Sequence, residues 1–160
     1  MGLPDATGST IAMGFNCHVR IGENAEDAQS IALAASFQAN EDFQVQDAIV
    51  LGHLGPVAID PQGYTCTITV DGFLPSRRAL QGNPAISQFM PSRASFMQKG
   101  GISDAKISYL DFWNKHEGIL AAFRGVIPTN FGISADGNAY VRNNVQFRAL
   151  ERTTNMRKPV

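Results

Sequence analysis

The 160-residue sequence lacks the short motifs that mark common catalytic and cofactor sites. It contains no glycine-rich phosphate-binding loop, no Cys-x-x-Cys pair, no His-Glu-x-x-His element and no Gly-x-Ser-x-Gly element. Its two cysteines, Cys17 and Cys66, fall on the apolar faces of predicted strands, where a thiol is usually an inert small hydrophobe. We therefore predict no catalytic residues, no metal site and no cofactor. A small hydrolase stays as a disfavoured alternative, because a Cys–His pair needs only to meet in space.

Long apolar stretches are also missing. No run approaches the length needed to cross a bilayer, so we expect no membrane insertion of the subunit. Met1 to Ala12 lacks the basic start and the apolar core of a signal peptide. Two cysteines without such a signal do not suggest a disulfide framework. We expect a protein that is made and folded in a cytoplasm.

Charge is scarce and unevenly placed. Charged residues make up 17% of the chain, less than the usual quarter, as expected of a protein that covers much of its surface with partners. The net charge is −1, yet Arg20 is the only base before Pro75, and the other 12 bases follow it. An acidic half and a basic half predict complementary patches for head-to-tail self-association, or else halves that interleave and cancel locally. The scattered bases argue against a dedicated DNA-binding surface.

The residues that are abundant indicate a β-rich globular domain. Hydrophobic residues make up 44%, and the 15 glycines and 8 prolines spread along the chain suit many turns. We predict a single domain over residues 1–160, with a flexible arm at 1–13 and a C-terminal tail at 153–160. The fold class is mainly β, a sandwich or partial barrel.

Alternation of apolar and polar residues predicts the strands. The clearest is Tyr64 to Asp71, with Cys66, Ile68 and Val70 on its apolar side. Ser30 to Leu51 predicts two long strands, or one interrupted near residues 40–42, followed by a projecting loop over residues 52–63. The other predicted strands are Gly14–Glu23, Ala105–Trp113 and Tyr140–Glu151. Prolines divide residues 75–101, where Arg77–Leu80 and Ser92–Gln98 each allow a turn or two of helix.

Some predicted strands carry small or amide side chains on their polar side. A freely solvated sheet usually presents Lys and Glu there, so this composition suits a face that meets another subunit or lines a smooth channel. An ordinary exposed face is the alternative. The candidate residues are Ser36, Gln38, Gln44, Gln46, Thr65, Thr67, Thr69 and Asp71.

A second candidate is the motif Gly125-Val126-Ile127-Pro128-Thr129-Asn130-Phe131-Gly132. Pro128 fixes φ and removes a ladder donor, so the segment from Pro128 to Gly132 is a bend or a strand edge. With the strand that follows, the motif resembles the C-terminal part of the tail tube proteins of contractile-tailed bacteriophages, where Gly125, Pro128, Thr129, Asn130 and Gly132 would form a bend. The stretches 36–40, 43–52 and 64–70 look like the paired inner strands of that family. Together these stretches cover a little over half the chain.

The resemblance implies a structural virion protein rather than an enzyme. Family subunits form hexameric rings, each subunit giving about four strands to an inner barrel, and the rings stack into a tube. About 24 strands tilted by about 40° give a backbone diameter of roughly 45–50 Å, enough to pass a duplex of roughly 20 Å. The eight candidate residues would line this bore, and DNA would pass without specific binding.

The resemblance also implies where the protein works and with which partners. It would lie in the virion tail, after assembly in the host cytoplasm, beside sheath, baseplate and tail terminator proteins. It implies one or two short helices between the central strands and a C-terminal hairpin. The inner tube of a tailocin or another contractile injection system is a close alternative. A β-sandwich module that recognises sugar or protein through its loops is an alternative from another class.

Overall fold

The structure is a computed structural model that describes residues 17–31, 33–74, 86–98, 108–115 and 118–153. Three of the predicted segments lie outside these residues: the N-terminal arm at 1–13, the helical turn at Arg77–Leu80, and the C-terminal tail after Thr153.

Strands make up most of the described chain. In order they are β1 (Cys17–Gly22), β2 (Gln29–Ser30), β3 (Ala34–Ala48), β4 (Ala58–Phe73), β5 (Tyr109–Asn114), β6 (Gly118–Arg124), β7 (Ile127–Ser134), β8 (Arg142–Ala149) and β9 (Glu151–Arg152). Between β4 and β5 lie a 3-10 helix (Ile86–Phe89) and one α-helix, α1 (Arg93–Gln98). The α-helix confirms the prediction for Ser92–Gln98.

The strands form two antiparallel sheets that pack face to face. Sheet A has the order β2-β1-β5-β6-β9, and sheet B has the order β3-β4-β8-β7. Among the described strands neither sheet closes on itself, so the predicted mainly β fold is confirmed as a sandwich rather than a barrel. The C-terminal hairpin is formed by β7 and β8.

The core lies between the two sheets and follows from the alternation in the sequence. Ile68 and Val70 of β4 stand beside Phe147 and Val145 of β8, and all four are buried. Sheet A supplies the opposing layer. Its buried core residues are Val19, Ile21, Leu110, Ala121 and Phe123. Because side chains alternate across a strand, the residues between these positions point away from the core.

Two predictions about the first half need correction. The strand β3 runs without interruption, since Asn40, Glu41 and Asp42 pair with residues of β4 like their neighbours. The predicted loop at residues 52–63 is shorter, because β4 begins at Ala58. A register shift between Gln44 and Val45 lets Pro61 and Gly63 remain in the strand, as β-bulges commonly do.

The predicted bend at Gly125, Pro128, Thr129, Asn130 and Gly132 also needs correction. All but Gly125 lie within β7, an edge strand of sheet B, so the alternative of a strand edge is the one observed. The chain turns at Gly125, where φ is +62°. A register shift at Thr129 absorbs the irregularity of Pro128. An edge strand tolerates proline because one side of its ladder is unpaired.

Substitution of Gly125 should therefore be costly. Its positive φ disfavours any other residue, and the Leu150 side chain already occupies the space of an added Cβ. We expect Gly125→Ala to lower the free energy of unfolding by about 1–3 kcal/mol, measured by urea unfolding.

Gly132→Ala is the matched control, since the φ of Gly132 lies outside the left-handed region and its added Cβ would be 3.8 Å from the Asn144 carbonyl oxygen. Equal stability losses in the two variants would contradict this assignment of the turn.

Candidate functional site

The side of sheet B that points away from the core is polar, and we call it the polar face. The structure places all eight candidate residues from β3 and β4 on it. Ser36 stands beside Asp71, Gln38 beside Thr69, and Gln44 beside Gly63 in the same register. Alternation adds Gln46, Thr65 and Thr67 to the same side. The residues that the sequence analysis singled out therefore form one continuous surface.

The neighbouring strands extend this surface with residues that the sequence analysis did not select as candidates. Asn40, Asp42, Asp60, Asn130, Arg142, Asn144, Gln146 and Arg148 all lie on the polar face by register. The alternation in β8 had already placed Asn144, Gln146 and Arg148 on one side of their strand. What the sequence could not show was that β8 lies next to β4, because this pairing joins residues far apart in the chain.

Hydrogen bonds tie the polar face together at one end. The Asp71 carboxylate accepts hydrogen bonds from Ser36 Oγ at 3.2 Å and from the Asn144 amide. Beside them, the absence of a side chain at Gly132 helps to leave an open hollow of ≈ 520 Å³. The Arg142 guanidinium lies 5.2 Å from the Phe73 ring centre. These contacts order the side chains at this end of the polar face.

The hairpin of β3 and β4 continues beyond the core, and we call residues 43–64 the hairpin extension. On its polar side lie Gln44, Gln46 and Asp60. On its other side, Phe43 is 63%, Val45 58% and Ile59 62% exposed. Apart from Asp47, which pairs with Ile59 on this side, the alternation of apolar and polar side chains persists where no other part of the described chain covers the apolar side.

The strands β3 and β7 are the two edges of sheet B. In the part of the chain that the structure describes, each of them pairs with one strand only. Sheet B alternates in direction through β3, β4, β8 and β7, so its two edge strands run antiparallel to each other. Free edges with apolar side chains nearby are sites at which another chain can add.

Three ionisable side chains of sheet A hydrogen-bond with one another. On the other side of sheet A, the buried Asp111 carboxylate accepts hydrogen bonds from Arg20 Nε at 2.9 Å and from the Tyr109 hydroxyl at 2.9 Å. The hydrogen bond with Asp111 raises the pKa of Arg20. Burial and the Asp111 contact raise the pKa of Tyr109 to about 12. Asp111 is therefore a satisfied structural anion.

The described residues offer little support for metal binding, thiol chemistry or a membrane-spanning helix. Within the described ranges, no group of three or more His, Cys, Asp or Glu side chains is placed to hold a metal ion. Cys66 is buried, and burial raises the pKa of its thiol, which disfavours the reactive thiolate. None of the described helices is both long enough and apolar enough to span a bilayer.

Comparisons of sequence alone found no relatives: no family model matches the chain, and no curated protein matches it. Comparisons of structure found similar proteins. The tail of an empty gene transfer agent particle aligns with a TM-score of 0.60 at 10% identity, over 91% of this chain and 99% of that one. The chain has the tail tube fold.

Further tail tube structures agree. The SPP1 tail tube aligns with a TM-score of 0.58 at 11% identity, over 92% of this chain and 80% of that one. The sheath–tube complex of PVC, an extracellular contractile injection system, aligns with a TM-score of 0.57 at 10% identity, over 92% and 93%. The resemblance noted in the sequence is therefore confirmed at the level of the fold.

The Tyr109 hydroxyl should make stability depend on alkaline pH. Because its pKa is raised from about 10 to about 12, the stability it contributes is present below about pH 10 and is lost as the pH rises towards 12. Tyr109→Phe should lower the free energy of unfolding by about 1 kcal/mol at pH 8 and make the further loss between pH 10 and 12 smaller.

Urea unfolding at both pH values measures this, with Tyr140→Phe, on an exposed side chain, as the control. Parallel pH profiles for the Tyr109 variant and the unchanged protein would show that the hydroxyl does not titrate as described.

Proposed function

We propose that this protein is the structural subunit of a tail tube. Copies join edge to edge into hexameric rings, and the rings stack into a tube with the polar face of sheet B lining its bore. In a virion tail this tube conducts the genome during ejection. The protein is a building element and not an enzyme.

The observation that carries this proposal is the uncovered apolar side of the hairpin extension. Phe43, Val45 and Ile59 together expose a large apolar surface on one side of a two-stranded ribbon. A ribbon of this kind is unstable in water by itself and needs a partner against its apolar side. The polar side of the same ribbon continues the polar face of sheet B, so the partner must lie on one side only.

The topology of sheet B supports closure by copies of the same chain. Because β3 and β7 run in opposite directions, β7 of one copy can pair antiparallel with β3 of a rotated neighbour. Four strands per copy preserve this alternation around a ring of any size. Six copies would give 24 strands, and a similar tail was refined with C6 symmetry. Ring closure removes both free edges.

The composition of the polar face suits a bore through which a polyanion slides. Its charged residues are Asp42, Asp60, Asp71, Arg142 and Arg148. Three aspartates against two arginines leave one net negative charge per copy. A polyanion is bound tightly when many cations neutralise its phosphates together, and this face offers few. DNA therefore passes the face without specific binding.

The inner tube of a contractile injection system is the second candidate. It is favoured by the likeness to the PVC tube and by a TM-score of 0.57 to the baseplate of the anti-feeding prophage, close to the 0.60 of the gene transfer agent tail. In both candidates the partners are further copies of this chain, with sheath, baseplate and terminator proteins around and at the ends of the tube.

A charge on the apolar side of the hairpin extension should block assembly. We expect Val45→Lys to leave the fold intact, because the side chain is exposed in the single chain. The variant should raise the protein concentration needed for tubes by at least about tenfold, because assembly would move a charged ammonium group out of water on the apolar side. Sedimentation and negative-stain electron microscopy measure the tubes.

Gln46→Lys adds the same charge one residue away on the polar side and is the matched control. Tubes should still form in this variant. Equal assembly of both variants, or an unchanged protein that stays monomeric at every concentration, would refute the proposal.

The direction of the polar face can be tested by chemical labelling. Thr69→Cys should react with a small maleimide in subunits and in tubes, but with a maleimide on a large globular carrier only in subunits, since the carrier cannot enter the bore. Lys115→Cys, after β5 in sheet A, should react with both reagents in both states. The unchanged chain gives the background from Cys17 and Cys66. Full labelling of Thr69→Cys by the carrier in tubes would place the face outside.

A further inference from the structure

Glu41 occupies the position at which the hairpin extension leaves the sandwich. It lies on the core side of β3, opposite Cys66 of β4, which is buried. The next row of that side is Phe43 beside Tyr64, and both of these are exposed. Glu41 is therefore the last residue on this side of β3 before the exposed rows of the hairpin extension.

An arginine from the other sheet reaches Glu41. Arg152 Nε of β9 donates a hydrogen bond to Glu41 Oε1 at 3.0 Å, and the two side chains are only 23% and 15% exposed. The strand β9 is the edge of sheet A, where Arg152 pairs with Phe123. The following residue is fixed too, since Thr153 N donates to the Ala122 carbonyl oxygen at 2.8 Å. This ion pair therefore connects sheet A to the base of the hairpin extension.

A second donor on β4 completes the contact. The Tyr64 hydroxyl donates to the same Glu41 oxygen at 2.7 Å. The Tyr64 ring lies 5.4 Å from the Phe43 ring, so the hydrogen bond also fixes the first exposed row of the hairpin extension. Although the ring is partly exposed, desolvation of the hydroxyl and its hydrogen bond to Glu41 raise the pKa of Tyr64, which keeps the hydroxyl a donor at ordinary pH. One carboxylate thus holds β3, β4 and β9 together.

Because this contact lies at the base of the hairpin extension, a small rotation there would displace the far end of the hairpin. From Asp42 to Ala48, where β3 ends, the hairpin extends about 20 Å at about 3.3 Å per residue, so a rotation of about 10° at its base would move that end by about 3 to 4 Å. At this base, Glu41 and Arg152 form an ion pair between the two sheets. Beyond it, the two strands pair mainly with each other.

We propose that Glu41, held by Arg152 and Tyr64, is a positioning residue that fixes the direction of the hairpin extension so that its apolar side meets the next copy. The inference rests on the proposed function for its last step, assembly. Its first step, the fixed direction of the hairpin, concerns the single chain. The C-terminal strand β9 is then part of the assembly apparatus, although it lies in the sheet opposite to the polar face.

The test compares Arg152→Met with Arg124→Met. Both substitutions remove an arginine that forms an ion pair near β9, but the Arg124–Glu151 pair is exposed and does not touch the hairpin extension. Hydrogen exchange of unassembled chains reports the mobility of residues 43–64, and thermal unfolding reports the sandwich. The concentration needed for tubes reports assembly. Glu41→Gln, which keeps an oxygen acceptor for Tyr64, is the milder second variant.

We expect Arg152→Met to speed exchange in residues 43–48 and 58–64 by about tenfold, with the buried core strands protected as in Arg124→Met. The same variant should raise the concentration needed for tubes by about tenfold, and Glu41→Gln should have a smaller effect in the same direction. Arg124→Met should change neither quantity.

Unchanged exchange in the hairpin extension would overturn the proposal, as would an equal loss of protection throughout the sandwich, which indicates a merely structural role. Faster hairpin exchange with normal assembly would overturn its assembly step. If the unchanged protein forms no tubes, the proposed function fails, and the exchange measurement still decides whether Glu41 fixes the hairpin.

Discussion

The structure depends on one constraint: the period-two alternation of β3 and β4 continues past the end of the core. Within the sandwich, Ile68 and Val70 satisfy that pattern by burial against sheet A. In the hairpin extension, Phe43 and Val45 follow the same pattern with no described residue of the chain above them. Apolar area on one side of a ribbon must be covered, at about 25 cal/mol per Å². Within the described chain this side of the hairpin extension stays exposed, and the proposed assembly would cover it.

The ion pairs show how the two halves of the sequence fit together. Arg20 pairs with Asp111, and Glu41 pairs with Arg152, so in both cases a residue before Pro75 meets one after it. The two halves therefore interleave at these points. At Glu41–Arg152 a carboxylate of the acidic half meets a base of the basic half, whereas Arg20–Asp111 joins the one base before Pro75 to a carboxylate after it. Both pairs also connect neighbouring strands or sheets at positions where an unpaired buried charge would be costly.

The sequence predicted those features that depend on residues close together in the chain. Alternation identified the core side of β4, from Cys66 to Val70, and assembled the eight candidates of the polar face. It could not show that β8 lies next to β4, or that Arg152 reaches Glu41, because these contacts depend on long-range packing. The motif around Pro128 allowed a bend or a strand edge, and the family resemblance favoured the bend. Proline fits both, and only the pairing with β8 distinguishes them. The loop after Ala48 is shorter than predicted, because a β-bulge accommodates Pro61 and Gly63 within β4.

The central claim is that copies join along β3 and β7 with the polar face inward. Cryo-electron microscopy of tubes assembled from the purified protein tests it most directly, at a resolution that separates strands about 4.8 Å apart. The account predicts a continuous inner barrel in which β7 of each copy runs antiparallel beside β3 of the next, with Thr67 and Thr69 facing the bore. A reconstruction with Thr67 and Thr69 on the outer wall would contradict it. So would one in which β7 of each copy does not pair with β3 of the next.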